Sequence, residues 1–329
     1  MSSQTRLNGS KVLKGAASLT LLLDPDQGEG PLRLSRAVAD AEINLPYVTL
    51  VREGAHWIVT LSVDGPDKTR IHALLDEGKS WRILGRESRC MVLSLFPHQS
   101  NPRVPALLFE AFGKSGVEVQ GAANSPSALS LLLRQDLLDE VSALLFETFQ
   151  FSSYRTPGEW KAAQEGKEVL YKEVVASYQE KQPKVYGLTC FENQLFVSGF
   201  TSEKTLVSAG AALHEAATAG LRLNFFTACP SAAGGMKVLY CLPARTIEET
   251  APPSPAHTPA AVFTMNGPHF GDRYGIASEL LEAFHKRGIG LLALNCTVAS
   301  ITGAVGASDL EPAIEAVQTC FEVPSVIRA

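Results

Sequence analysis

Positive charge is not in excess in this sequence: 29 Lys and Arg stand against 34 Asp and Glu, a net charge of −5 over 329 residues. Without a basic patch there is no electrostatic footprint for nucleic acid or an anionic membrane. The six cysteines (Cys90, Cys190, Cys229, Cys241, Cys296, Cys320) are scattered, with no Cys-x-x-Cys pair and no histidine at metal spacing. That excludes a disulfide framework and a zinc site, and fits buried thiols in the cytoplasm. Catalytic signatures are missing too. There is no Gly-x-x-x-x-Gly-Lys phosphate loop, no Gly-x-Gly-x-x-Gly after a strand and no His-Glu-x-x-His. His214-Glu215 begins such a zinc helix, but Thr218 stands where the second histidine is needed. No cofactor and no metal are expected.

Hydrophobic residues make up 45 %, enough for well-filled cores. A leader peptide at residues 16–23, after Arg6, Lys11 and Lys14, is set aside because Ser18 and Thr20 interrupt the run and Asp24-Pro25-Asp26 ends it. Residues 288–308 lack charge and approach the length of a membrane span. Their four glycines, with Asn295, Thr297, Ser300 and Thr302, read better as two buried strands and a turn.

One cassette recurs four times: a strand, a Gly/Pro/Asp/Ser loop, an amphipathic helix, a strand, a turn, a strand and a second helix. Residues 92–151 and 262–323 match best. Val104, Leu108, Ala111 and Phe112 in one, and Ile276, Leu280, Ala283 and Phe284 in the other, fall at i, i+4, i+7 and i+8, one face of a helix. The first cassette has strands 19–23, 45–51 and 57–63. The third has strands 185–190, 194–200, 221–227 and 236–242. The offsets Ala41 to Ala219 and Gly116 to Gly288 make the larger unit a pair of cassettes, duplicated once. Six segments follow: modules at 12–85, 88–152, 184–246 and 261–325, a charged helical connector at 153–183, and a proline-rich linker at 247–260 that joins domains packing independently. The β-α-β-β-α order predicts an α+β fold of ferredoxin-like (βαββαβ) units.

Val185-Tyr186-Gly187-Leu188 with 194–200, the run 266–276, and 94–104 continuing through Asn124-Ser125 resemble the tandem ACT domains in the regulatory tail of aspartokinases. The resemblance covers nearly the whole chain outside the two connectors, and no amino-acid-kinase segment opens it. It implies four ACT-type modules in two tandem pairs without the kinase. The function implied is a non-catalytic regulatory protein that senses an aspartate-family amino acid and acts on a biosynthetic enzyme partner. Two alternatives stay open: a regulatory subunit of an aspartokinase, and a structural ACT scaffold that binds no ligand.

In the ACT family the effector carboxylate sits at the loop between first strand and first helix, where a helix N-terminus presents unpaired N–H groups. Its amino group meets the start of the second strand. The matching positions are Pro46, Gln120, Asn224 and Leu292, of which only Asn224 and Gln120 carry an acceptor oxygen. The expected site lies between the first and third modules: the loop Asp26, Gln27 and Gly28, the helix start Thr201 and Ser202, and the facing strand Leu223 and Asn224. Since exposed sheet edges invite pairing, an internal pseudo-dimer is expected, first module with third and second with fourth; a homodimer remains open.

Overall fold

The computed structural model describes residues 5–25, 29–77, 81–96, 100–164, 182–244, 257–267, 270, 274–297 and 300–329. The fold is α+β, and the β-α-β-β-α order recurs. The first run is β2 (Gly9–Leu23), α1 (Gly30–Asp40), β3 (Tyr47–Glu53), β4 (His56–Val63) and α2 (Lys68–Glu77). The second is β5 (Trp81–Phe96), α3 (Arg103–Ser115), β6 (Gly121–Asn124), β7 (Leu129–Arg134) and α4 (Leu138–Thr148). The third comprises β9 (Gly187–Thr201), α6 (Val207–Thr218), β10 (Phe225–Pro230) and β11 (Met236–Pro243). The fourth comprises β12 (His257–Asn266), α7 (Ile276–Lys286), β13 (Leu291–Thr297), β14 (Ser300–Gly306) and α8 (Leu310–Cys320). Gly116 and Gly288, matched in the sequence, take left-handed φ of 72° and 65° just after α3 and α7, where glycine carries no Cβ penalty.

The runs do not keep separate sheets. Their strands join into one thirteen-stranded sheet in the order β11-β10-β6-β7-β5-β2-β4-β3-β13-β14-β12-β9-β15, and β11 also pairs with β9. The final strand is β15 (Val326–Arg328), parallel to β9. The sheet is thus a flattened ring, which removes nearly every free edge. Three strands are long enough to serve both layers. β9 pairs with β12 through its first half and with β11 through its second, so the two strands expected at 185–190 and 194–200 are one. The expected boundary between residues 85 and 88 falls inside β5, which pairs with β2 and then with β7.

The edge pairings correct the expected pseudo-dimer. β3 of the first run pairs with β13 of the fourth, Thr49 opposite Asn295. β6 of the second pairs with β10 of the third, Thr227 opposite Ala123. First and third runs instead meet face to face: Leu22, Val51 and Ile58 pack on Phe225, Cys229 and Leu239. At that seam the Glu53 carboxylate accepts from Ser231 Oγ at 2.6 Å and Ala232 N–H at 3.0 Å.

Strand alternation explains the layering. Val48 and Leu50 of β3 turn to the helices α1, α2, α7 and α8, in one core with Leu280 and Ile314. Tyr47 and Val51 turn to the seam. A second core holds α3, α4 and α6 against β5, β6, β7, β10 and β11. The connector contributes to it. Trp160 of α5 (Pro157–Gln164) is wholly buried in this core, its indole N–H donating to Ser10, so this part is no solvated spacer. The strand β8 (Phe149–Phe151), after α4, pairs in parallel with β1 (Thr5–Leu7). The linker's end, including Pro259, is already strand β12; its residues 247–256 and connector residues 165–181 lie outside the described residues. The segment 288–308 forms β13 and β14, and among the described residues no helix is long and apolar enough to cross a membrane.

Candidate functional site

The two edge pairings create two equivalent helix junctions, and they differ. Where β6 meets β10, α3 and α6 are pressed together through glycine. A Cβ on Gly113 would stand 1.9 Å from Val207 Cγ2, and one on Gly210 would stand 3.1 Å from Phe109 Cβ and 3.3 Å from the Ala106 carbonyl. Loop hydrogen bonds stitch this junction: Leu223 N–H to the Ser100 carbonyl and Val119 N–H to that of Lys204, both 2.8 Å.

Where β3 meets β13, the helices α1 and α7 also pack against each other, but less closely. A cleft opens between Ser35, Val38 and Ala39 of α1, the segment Ile43 to Val48, and the start of α7 at Gly275 to Ser278; Phe270, Cys296 and Ile301 form its floor. Its lining is apolar apart from the Ser35 and Ser278 hydroxyls and Tyr274, and among the described residues no charged side chain lines it. Gly275 holds φ at 87° as the residue before α7 and, as a glycine, offers that helix no side-chain cap of its own. A helix start of this kind directs its first-turn N–H groups outward, the geometry that suits an anion. Burial pushes the Cys296 thiol up to about 12, so it stays neutral and behaves as part of the apolar floor. Outside the cleft, Arg36 Nη2 lies 3.3 Å from Glu282 and His285 Nε2 lies 3.7 Å from Glu29, bridging the two helices at the surface.

The residues expected to form one site are not brought together. Thr201 pairs with Met236, and Met236 with Pro230. Asn224 precedes the far end of β10, about 20 Å away at the rise of a strand. Parallel β9-α6-β10 geometry forces this, since the end of a first strand and the start of the second strand that follows its helix lie at opposite ends of a sheet. Thr201 is buried and its hydroxyl accepts from Glu203 N–H at 3.2 Å; Ser202 is exposed. Leu223 is buried, and its carbonyl accepts from Asn124 Nδ2 at 3.0 Å. Asn224 is 2 % exposed, donating to Gln194 Oε1 at 2.9 Å, while its Oδ1 has no protein partner. Across the closed junction Ser100, whose carbonyl accepts from the adjacent Leu223 N–H, is held at φ 54° with an unpartnered, buried Oγ. Asp26, Gln27 and Gly28 lie outside the described residues. Of the cleft, sequence reasoning had singled out the 266–276 run and, through Pro46, the segment 43–46. The α1 face and the Cys296 floor were missed because their apolar residues read as core. The one available signal was the smallness of Ser35 and Ala39 on a helix that otherwise buries Leu34 and Val38.

No family model matches the sequence. A curated aspartokinase from Corynebacterium efficiens is 30 % identical over 152 residues, 44 % of this chain and 36 % of that protein. The crystal structure of aspartate kinase from Synechocystis shares the fold over 96 % of this chain and 56 % of its own, with a TM-score of 0.75 and 14 % identity. This chain therefore spans about a third of the curated relative and about half of the solved one. Both are kinases. This overturns the expectation of a sensor set apart from the kinase, a non-catalytic protein acting on a separate partner: the curated relative matched over 44 % of the chain is an aspartokinase, and the structure that shares the fold over 96 % of it is an aspartate kinase.

Proposed function

We propose that this chain belongs to an aspartokinase, an enzyme that transfers a phosphoryl group to aspartate, and that its open junction receives an amino-acid effector. The four runs are then four ACT-type, ferredoxin-like modules, merged into one ring of strands. The observation that carries the effector reading is the cleft between α1 and α7, where an apolar floor and a glycine-led helix start meet. The first-turn N–H groups of α7 would hold the effector carboxylate, and Val38, Val48 and Ile301 would take its side chain. No carboxylate among the described residues lines the cleft to match a basic side chain, and an unpaired buried charge is costly. The effector is thus an amino acid with an apolar or hydroxyl-bearing side chain. A second reading places it at the closed junction, on Ser100 Oγ and Asn224 Oδ1, both buried without a protein partner. The six free cysteines fit a cytoplasmic enzyme.

The test is ATP- and aspartate-dependent formation of aspartyl phosphate by the full-length gene product, with each of the twenty amino acids added in turn. Turnover that responds to an apolar or hydroxyl amino acid, with a matching rise in melting temperature, is expected. Ligand at a hundred times its dissociation constant adds about 2.7 kcal/mol. Absence of turnover would remove the aspartokinase reading. Turnover and melting indifferent to every amino acid would remove the effector.

A further inference from the structure

The inner face of the sheet formed by the first and fourth runs carries two complete cross-strand rows of polar side chains. One runs Ser18, Ser62, Tyr47, Thr297, Ser300 and Asn266; the next runs Thr20, Thr60, Thr49, Asn295, Thr302 and Thr264. The third row, Leu22, Ile58, Val51, Ala293, Ala304 and Val262, is wholly apolar. All of this faces the other sheet across the seam.

The flanks of the polar rows satisfy themselves. Thr20 pairs with Thr60 at 3.2 Å, Thr264 with Thr302 at 2.9 Å, Thr297 with Ser300 at 3.0 Å, and Ser18 donates to Gln120 at 2.8 Å. The middle does not. Tyr47 Oη, Thr49 Oγ1, Ser62 Oγ and Asn295 Oδ1 form one contiguous block, fully buried, and none has a protein partner. Thr49 lies close enough to oppose the upward pull of burial on the Tyr47 phenol, yet the pair does not reach hydrogen-bond geometry. Opposite the block the other sheet offers backbone rather than bulk: a Cβ on Gly121 would stand 2.9 Å from Tyr47 Oη, and Asn295 Nδ2 reaches across to the Phe226 carbonyl at 2.9 Å.

Buried polar atoms in native proteins are almost always paired, and internal water, about one per 27 residues, is the usual partner where protein offers none. We infer that Tyr47, Thr49, Ser62 and Asn295 hold ordered internal water at the seam between the sheets. No carboxylate sits in either row, so a cation there would lack a counter-charge; neutral hydroxyl and amide oxygens suit water, which both donates and accepts.

Thr49→Val keeps the shape and removes the hydroxyl, and so separates a wet seam from a dry one by sign. A water-bonded hydroxyl makes the variant melt lower, by on the order of 3 °C, and the oxygen-17 relaxation dispersion of solvent water loses amplitude from long-lived sites. An unpartnered, dry hydroxyl is better removed, so an unchanged or raised melting temperature with unchanged dispersion would overturn the inference. A melting temperature that rises in potassium or sodium chloride but not in choline chloride at equal ionic strength would overturn it in favour of a cation. Should Thr49→Val not fold, Ser62→Ala against the wild-type chain decides by the same dispersion measurement.

Discussion

The two helix junctions are built from the same parts and differ in a few small residues. At α3 and α6, Gly113 and Gly210 let the helices touch, and the space beneath is filled by Phe109, Val207 and their neighbours. At α1 and α7 the glycine contact is an ordinary one: a Cβ on Gly275, just before α7, would stand 3.8 Å from Ala39 Cβ. The spacing that results leaves a cleft over Cys296 and Ile301. Duplication thus yields one junction closed through glycine contacts and one that keeps a small apolar cleft. The difference lies in helix approach rather than in strand pairing, since both junctions pair their strands antiparallel.

Filling the closed junction is the most damaging way to probe this contrast. Gly210→Val pushes branched carbon against Phe109 Cβ and the Ala106 carbonyl, 3.1 and 3.3 Å from where its Cβ must lie. Overpacking of this kind costs about 1–3 kcal/mol, and in a chain of this size each kcal/mol lowers the melting temperature by about 2–4 °C. Ala39→Val at the open junction is expected to cost less than about 1 kcal/mol. Equal losses in thermal or urea melts would mean the junctions are packed alike.

Ligand affinity sharpens the same comparison. Ser35→Phe projects an aromatic ring into the cleft and is expected to weaken effector binding at least tenfold, about 1.4 kcal/mol, with little change in the ligand-free melt. Asn224→Ala at the closed junction should leave that affinity intact while losing the bond to Gln194, 2.9 Å long. The reverse result, with binding weakened only by Asn224→Ala, would place the effector on Ser100 and Asn224.

The thiols offer a pH handle on the open junction. Cys296 ionises at 9.0 in its ordinary state and only at about 12 when folded, because burial penalises the thiolate. Its contribution to stability is complete below pH 9, where both states are protonated. Between about 9 and 12 the unfolded chain sheds a proton that the folded chain keeps, so stability falls as pH rises. Urea unfolding at pH 7 and pH 10 should therefore show a smaller pH-dependent loss in Cys296→Ala than in the wild type. Effector should also slow labelling of Cys296 by a thiol reagent while leaving the more exposed Cys320 unaffected. Labelling of Cys296 indifferent to effector would detach the cleft from the binding site.

The repeat was legible because it is local. Val104, Leu108 and Phe112, like Ile276, Leu280 and Phe284, advertise one buried helix face in the chain itself, and all six are buried. The strand-turn-strand reading of 288–308 survives for the same reason. Which module neighbours which is a long-range choice that edge strands make among themselves. Nothing in the 45–51 or 221–227 runs says that Thr49 will meet Asn295 while Thr227 meets Ala123. The site was scattered by the same blindness: Thr201 and Asn224 belong to opposite ends of one sheet, and each faces a different neighbour. β9 was cut in two and a module boundary was set inside β5, because each gains a second neighbour partway along, and periodicity carries no mark of that.

The smallest expected effect concerns what holds the open junction at its width. Arg36 and Glu282 face each other across α1 and α7 at 3.3 Å, with side chains 48 % and 35 % exposed. The Glu282 carboxyl is held low first by its hydrogen bond to Lys286 and only then by Arg36, so the intrahelical partner remains when the bridge is cut. Exposed ion pairs contribute little, and salt screens what remains. Arg36→Ala is therefore expected to leave the melting temperature and effector affinity within experimental scatter, and to do so equally at low and high salt. Apolar contacts on either side of the cleft, with Val38 and Leu280 in one continuous core, would then be what sets the spacing of the helices. A clear loss of affinity in Arg36→Ala that vanishes at high salt would reverse the argument. The junction would then be held open by charge, and its contrast with the glycine-packed junction would be electrostatic rather than steric.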